Sequence, residues 1–251
     1  MTASPLQHHC VNADARRPEG YREALRGAQA RLLHTDPPYC LLTRRRKGGD
    51  LRDAREHKKI DRNPIVRFET VRDYRAFTEA WMGEALKHLT PDATLAIWTN
   101  FLGKEPILTA ARALGFGCFR GEFVWGKKTR EVNGNETTLR VYEVALVLTR
   151  EPAPPPTPAS TAVPWAVAAG YDDDGEAATW GNHPHHKPFH VLEPLVRTYS
   201  RPGDWVLDPF AGSGSMPAAA LRLERHAACL EVEAEWATRV SARLAAAALR
   251  E

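Results

Sequence analysis

Long apolar runs, paired cysteines and a large net charge are all missing from this sequence of 251 residues. No stretch approaches the ~18 consecutive apolar residues of a membrane-spanning helix, so a membrane partner is not expected. The 4 cysteines include no CxxC pair, which argues against a disulfide framework and against a cysteine-based zinc site. The amino-terminal residues have neither a basic n-region nor an apolar h-region, so we expect a cytoplasmic protein.

The composition is that of an ordinary globular protein, with 43% hydrophobic and 26% charged residues. The length fits one large domain or one domain with an appendage. A net charge of +3 does not by itself identify a nucleic-acid-binding protein, so the local distribution of charge has to be considered.

Apolar runs and helical periodicities alternate along the chain. Strands are predicted over residues 31–35, 94–98, 119–125, 141–148, 205–207 and 227–232. Helices are predicted over residues 73–89, 106–114 and 191–199, from the turn near 214 through 223, and in the alanine-rich carboxyl-terminal stretch. This alternation predicts an α/β fold with a mainly parallel sheet and helices on both of its faces.

The segment 151–180 interrupts the alternation. Residues 151–164 contain six prolines and almost no large apolar side chain, and an acidic cluster follows at 172–174. Such a composition cannot form a packed core, so we interpret the segment as a linker or surface insertion. It separates a first part, residues 1–150, from a shorter last part, residues 181–251.

The sequence VLDPFAGSGSMPAAA, residues 206–220, reads as a strand, a glycine-rich turn and a helix. In a parallel sheet such a turn lies at the carboxyl end of a strand, where ligands bind, and Gly212 and Gly214 would let backbone amides approach a ligand. The next strand ends at Glu231, whose carboxylate could accept hydrogen bonds from both hydroxyls of a ribose. The pattern favours a nucleotide-type cofactor over a plain strand-to-helix turn. The Gly-Lys-Ser/Thr of a P-loop is absent.

A second turn, DPPY at residues 36–39, also follows a predicted strand. Its two prolines remove two backbone donors, Asp36 is an acceptor when ionised, and Tyr39 offers an aromatic face. These groups suit a planar ligand that carries an NH2 group. The alternative is a surface proline turn with a helix-capping aspartate.

Together the two motifs resemble the amino-methyltransferases that modify adenine N6 or cytosine N4 in DNA. The DPPY loop precedes the DPFAGSG turn, which is the motif order of the family's β group. HPHHKP at 183–188 is similar to the family's HP-x-x-KP, although many members carry polar residues such as Thr-Gln between the two pairs. FVWGK at 123–127 is similar to its FVW-x-K.

The resemblance implies a Rossmann-like S-adenosylmethionine-dependent methyltransferase fold with a circularly permuted motif order and a short proline-rich insertion. Residues 1–150 would be the catalytic half, 151–180 a linker or reduced target-recognition insertion, and 181–251 the cofactor-binding half. The implied catalytic residues are Asp36, Pro37, Pro38 and Tyr39. The implied cofactor-binding residues are Asp14, Lys187, Asp208, Phe210, Ala211, Gly212, Ser213, Gly214 and Glu231.

The implied reaction moves a methyl group from S-adenosylmethionine to an amino group of a base flipped out of double-stranded DNA. Aspartate at the start of the loop narrowly favours adenine N6, because serine there is commoner among cytosine-N4 enzymes. Methylation of RNA or of a protein side-chain amide, and a catalytically silent nucleic-acid-binding partner subunit, are the alternatives. The resemblance also implies a bacterial-type cytoplasmic enzyme, associated with the nucleoid through DNA and compatible with a homodimer.

Residues 40–67 contain ten lysines and arginines against four acidic residues, directly after the DPPY loop. This position favours phosphate contacts over a merely solvated loop. The residues expected to contact nucleic acid are Arg44, Arg45, Arg46, Lys47, Lys58 and Lys59.

Four histidines cluster around the HPHHKP segment, at 183, 185, 186 and 190. They have no cysteine or carboxylate at a recognisable ligand spacing, and prolines interrupt them. No metal site is therefore predicted; we expect these side chains to form part of the cofactor pocket and of the surface.

Overall fold

The structure is a computed structural model that describes residues 5–42, 66–126, 142–152, 165–167, 175–181, 183 and 185–248. Its strands are β1 (His8–Asn12), β2 (Ala30–Thr35), β3 (Leu89–Thr99), β4 (Cys118–Gly126), β5 (Tyr142–Thr149), β6 (Trp165–Val167), β7 (Trp205–Asp208) and β8 (His226–Glu231). Its helices are α1 (Pro18–Leu25), α2 (Val71–Ala85), α3 (Lys104–Ala113), α4 (Glu176–Trp180), α5 (Phe189–Tyr199), α6 (Ser215–Arg222) and α7 (Ala234–Ala248). Short 3-10 turns cover Leu86–His88 and Phe101–Gly103.

The strands form one sheet in the order β1-β8-β7-β2-β3-β5-β4-β6. The first five strands in this order pair in parallel, whereas β5 runs antiparallel to both β3 and β4. The predicted α/β fold with a mainly parallel sheet is therefore confirmed.

Helices cover both faces of the sheet. Successive side chains of a strand point to opposite faces, and apolar side chains occur on both. Leu32 packs with α5, α6 and α7 in one core cluster. Its neighbour Leu33 packs with α1, α2 and α3 in a second cluster on the opposite face. Because both faces are covered, β2 and the second half of β3 are buried almost without interruption, polar residues such as His34 and Thr94 included.

Four elements are absent from the sequence prediction. Strand β1 and helix α1 were not predicted; β1 has the sequence HHCVN, and it is a strand because it pairs in parallel with β8 along the edge of the sheet. Within the segment 151–180, β6 extends the other edge by pairing with β4. Helix α4 follows, and its Glu176 accepts hydrogen bonds from Arg222 and Arg243, so part of this segment is tied to the second half of the domain.

The strand order brings the two sequence motifs together. The DPPY turn follows β2, the glycine-rich turn follows β7, and Glu231 ends β8, which are neighbouring parallel strands. The carboxyl ends of these three strands therefore lie side by side, which is where ligands bind in open α/β folds. Among the described residues, no helix is long and apolar enough to cross a bilayer.

Candidate active site

A buried hydrogen bond ties the two motifs to each other. Thr35 Oγ1, at the end of β2, donates to Asp208 Oδ1 at the end of β7 over 2.7 Å. The same carboxylate oxygen accepts from the backbone amide of Phe210. Burial raises the pKa of Asp208 to about 7, against the opposing effect of these two hydrogen bonds. Asp208 thus anchors the backbone at the start of the glycine-rich turn through its hydrogen bond with Phe210.

The glycine-rich turn needs glycine at two positions. Gly212 and Gly214 have φ angles of +52° and +75°, in the left-handed region that glycine adopts without strain. A Cβ on Gly212 would lie 2.9 Å from His183 Cε1, and one on Gly214 would lie 3.0 Å from Val240 Cγ1. The turn can therefore approach its neighbours only without side chains.

Glu231 connects the turn to the end of β8. Its Oε2 accepts from the amide of Gly212 over 2.8 Å, and its Oε1 accepts from the amide of Glu233 over 2.9 Å. The residue is 9% exposed, and burial raises the pKa of its carboxyl group. Because a carboxylate oxygen can accept more than one hydrogen bond, both oxygens keep capacity for a vicinal diol.

A cavity lies between the DPPY loop and the glycine-rich turn. Its lining from the predicted catalytic residues consists of Asp36, Pro37, Pro38 and Tyr39. Its lining from the predicted cofactor-binding residues consists of Phe210, Ala211, Gly212, Ser213 and Glu231. His183, His185 and Trp236 line it as well. The structure therefore brings all four predicted catalytic residues and five of the nine predicted cofactor-binding residues to one cavity.

The other predicted cofactor-binding residues lie around this cavity rather than in its lining. Asp208 and Lys187 are buried, and Gly214 packs against Val240 at the start of α6. Asp14 lines an adjoining groove that shares Phe210 and Glu231 with the cavity. A hydrogen bond from Arg16 lowers the pKa of Asp14, so its carboxylate is ionised in this groove.

Lys187 is the centre of a buried cluster of charged groups. Its Nζ donates to Asp36 Oδ2 over 2.5 Å and to Glu143 Oε2 over 2.8 Å. Tyr39 donates its phenolic hydrogen to the same Glu143 oxygen over 2.8 Å. The side chains of Lys187, Asp36 and Glu143 are 1%, 6% and 13% exposed. Burial acts to lower the pKa of Lys187, but the two carboxylates outweigh it and raise this pKa above its usual value.

The second oxygen of Asp36 is placed differently. Asp36 Oδ1 is buried and has no hydrogen-bond partner among the described residues. Asp36 also lines the cavity. A buried carboxylate oxygen without a partner is unfavourable unless a ligand supplies one. The site therefore has an acceptor suited to an N–H or O–H donor.

Three histidines of the HPHHKP segment link the two sides of the cavity. The ring of His183 stands edge-on to Trp236 at 4.7 Å, and burial lowers the pKa of His183 to about 4, so the ring is neutral. His186 Nδ1 lies 3.2 Å from Ser213 Oγ, and His185 packs edge-on to Tyr39. Among the described residues, no group of three or more side chains could hold a metal ion.

Six of the predicted site residues are not described, and one further residue belongs to the charged cluster. Arg44, Arg45, Arg46, Lys47, Lys58 and Lys59 lie outside the described residues, so their contacts with nucleic acid stay a prediction. Glu143 belongs to the cluster although the motifs did not assign it there. The signal in the sequence was a single acidic residue near the start of an otherwise apolar strand.

Comparisons with known proteins place this site in a family. Residues 30–241 match the model of the N6_N4_Mtase family, described as DNA methylase. YubD of Escherichia coli (strain K12), which is named as a methylase, is 26% identical over 246 residues, covering 96% of this chain and 89% of that protein.

Solved structures share the fold. The M1.HpyAVI–SAM complex gives a TM-score of 0.64 at 18% identity and covers 94% of this chain and 99% of that one. The PvuII DNA methyltransferase, which is cytosine-N4-specific, gives a TM-score of 0.67 at 15% identity and covers 95% of this chain and 87% of its own. At these identities the likeness shows a common architecture.

Proposed function

Because the chain belongs to the N6/N4 family of DNA methylases, we propose that it methylates an exocyclic amino group of a base flipped out of double-stranded DNA. The methyl donor is S-adenosylmethionine, and the proposed target atom is adenine N6. The observation that carries the proposal is the cavity lined jointly by the DPPY loop and the glycine-rich turn, with the unpartnered Oδ1 of Asp36 at the loop.

The residues around the cavity fit S-adenosylmethionine. The carboxylate of Glu231 can accept hydrogen bonds from the two ribose hydroxyls, and the ionised Asp14 in the adjoining groove can accept from the adenine amino group. Phe210 lines the same groove as these two carboxylates and offers an apolar surface to the base. When bound, the cofactor supplies a methyl group on a positively charged sulfur.

Asp36 acts on the target nitrogen. The lone pair of an exocyclic amine is delocalised into the ring, which makes the nitrogen a poor nucleophile. Hydrogen bonds from its two protons to Asp36 Oδ1 and to the Pro37 carbonyl localise that lone pair. The nitrogen–carbon bond then forms as the sulfur–carbon bond breaks, and the methylated nitrogen releases one proton, which the Asp36 carboxylate can accept. The enzyme contributes positioning and electrostatics.

Tyr39 provides the surface for the flipped base. A duplex hides the amino group, so the base has to leave the stack before it reacts. The ring of Tyr39 lines the cavity, and its hydroxyl is anchored on Glu143. An anchored ring costs little further ordering when a base stacks on it, and such stacking stabilises a bound base by roughly 1–3 kcal/mol.

The test is methyl transfer to defined substrates followed by mass spectrometry of nucleosides. The protein is incubated with methyl-labelled S-adenosylmethionine and with duplex DNA, RNA or protein in parallel, and Asp36→Ala serves as the inactive control. N6-methyladenine in DNA supports the proposal. N4-methylcytosine moves the target to cytosine with the same chemistry, whereas C5-methylcytosine contradicts the mechanism. Label only in RNA or protein, or cofactor binding without transfer, supports the alternatives instead.

A further inference from the structure

Glu143 is a largely buried acid in a mostly apolar strand. It is the second residue of β5, and six buried residues follow it. Its side chain is 13% exposed. Burying a carboxylate in this way is unfavourable unless charged and hydrogen-bonding partners compensate. The position therefore needs an explanation beyond the packing of the sheet.

The contacts of Glu143 lead to the target loop. One oxygen, Oε2, accepts from Lys187 Nζ and from the Tyr39 hydroxyl, each over 2.8 Å. Lys187 in turn contacts Asp36, and Tyr39 belongs to the same loop as Asp36. Glu143 thus contacts both Lys187 and Tyr39, although it does not line the cavity itself.

The charges of the cluster do not cancel. Asp36 and Glu143 are two carboxylates, and Lys187 is one ammonium, so the cluster carries a net charge of −1. Nearby His34 adds no charge, because burial lowers the pKa of His34 to about 3. The ring of Trp98, 4.9 Å from Lys187 Nζ, is also neutral. Without Glu143, the ammonium would neutralise Asp36 alone.

We propose that Glu143 is a positioning residue for methyl transfer, which shares the charge of Lys187 with Asp36 and holds the ring of Tyr39. Asp36 then keeps the negative charge that polarises the target amino group. The inference rests on the proposed function and adds a residue that acts through Lys187 and Tyr39. It predicts an effect on the chemical step, with cofactor affinity preserved.

A second lysine–glutamate pair provides a matched control. Lys104 Nζ donates to both carboxylate oxygens of Glu122 over 2.8 and 2.9 Å, and the two side chains are 23% and 32% exposed. This pair joins α3 to β4, and neither member lines the cavity. If Glu143 had a purely structural role, replacing it would affect kcat no more than replacing Glu122 does.

The experiment compares Glu143→Gln with Glu122→Gln. In Glu143→Gln the side chain keeps its size and one acceptor but loses its charge, so kcat should fall about tenfold or more. The Kd for S-adenosylmethionine should stay within about twofold, since Glu231 and the glycine-rich turn are unchanged. Glu122→Gln should leave kcat unchanged. Glu143→Asp keeps the charge at a shorter reach and should give an intermediate kcat.

The outcomes separate the two proposals. A wild-type protein that transfers no methyl group contradicts the proposed function itself. An active wild type with an unchanged kcat in E143Q overturns the role of Glu143, and so does an equal fall of kcat in E122Q. If E143Q does not fold, E143D decides alone: a kcat equal to that of the wild type overturns the proposal, and a reduced kcat with intact cofactor affinity supports it.

Discussion

The ammonium of Lys187 lies 2.5 Å from Asp36 Oδ2, although 151 positions separate the two residues in the sequence. The resemblance assigned Lys187 to the cofactor, whereas its observed contacts are with Asp36, Glu143 and Tyr39. A direct contact with the cofactor stays a prediction. The lysine of the HPHHKP segment thus joins the second half of the chain to the loop that would hold the target base.

Cofactor binding should depend on Gly212. Gly212→Asp places a side chain on a φ of +52° and within 2.9 Å of His183, and it adds a negative charge beside Glu231. Calorimetry should therefore show that S-adenosylmethionine binding is lost. Gly203→Asp is the control, because Gly203 has a similar φ of +84° with nothing within 4 Å of its Cβ position. Equal affinity in wild type and Gly212→Asp would remove the turn from the cofactor site.

Methyl transfer should depend on the carboxylate of Asp36. Asp36→Ala removes the acceptor for the target amino group, so kcat should fall by about 100-fold or more. Lys187 keeps Glu143 as a partner, so the variant should fold and bind the cofactor with nearly unchanged affinity. Asp36→Asn should be milder, since its amide oxygen can still accept. Steady-state kinetics and calorimetry together check this, and a loss of cofactor binding in Asp36→Ala would contradict it.

The contribution of Asp208 to folding stability should fall as the pH rises from about 4 to about 7, whereas His34 and His183, with pKa values of about 3 and about 4, act in the opposite direction. The pKa of Asp208 is raised to about 7 by burial, whereas the unfolded carboxyl group releases its proton near pH 4. At Asp208 the folded state therefore binds the proton more tightly than the unfolded state, so this contribution is complete below the range and lost as the pH passes 7. Burial raises the pKa of Glu231 as well, which acts in the same direction.

Asp208→Asn isolates the contribution of that group. The amide oxygen can accept from Thr35 and Phe210 as the carboxylate does, but it does not titrate. In urea unfolding, the free energy of unfolding of this variant relative to that of the wild type should increase as the pH rises from 4 to 7. Asp92→Asn, at a side chain that is 70% exposed, is the control. Identical curves for wild type and Asp208→Asn would show that Asp208 titrates normally.

The basic segment should carry nonspecific DNA affinity. Replacing Arg44, Arg45, Arg46 and Lys47 with alanine should flatten the slope of log affinity against log salt by about 0.9 for each phosphate that the protein no longer neutralises. The control set consists of three exposed cations that precede β2, β3 and β4 and do not line the cavity: Arg22, Lys87 and Arg112. Fluorescence anisotropy over a salt series measures both. If the control substitutions flatten the salt dependence as much as the substitutions in the basic segment, the segment has no special role in binding DNA.

Local sequence determined the parts of the site that follow single strands. The apolar runs of β2, β7 and β8 each end at a polar turn, and Asp36, the glycine-rich turn and Glu231 follow from these patterns. Helix α2 is similarly local, because Thr70 and Asp73 form a capping box at its start. Apolar periodicity and turn residues act over a few positions, which is why the sequence alone is sufficient there.

Only the tertiary structure decided which strands pair and which side chains of the site make contact. The sequence HHCVN becomes β1 because β8 offers it an edge, and its own residues are too polar to indicate a strand. Glu143 reaches Lys187 across 44 positions and Tyr39 across 104, through the strand order that places β5 beside β3. Such contacts depend on how strands are ordered in the sheet, and local patterns do not encode that order. The sequence therefore determined the individual loops of the site, and the packing of the sheet determined the charged cluster that joins them.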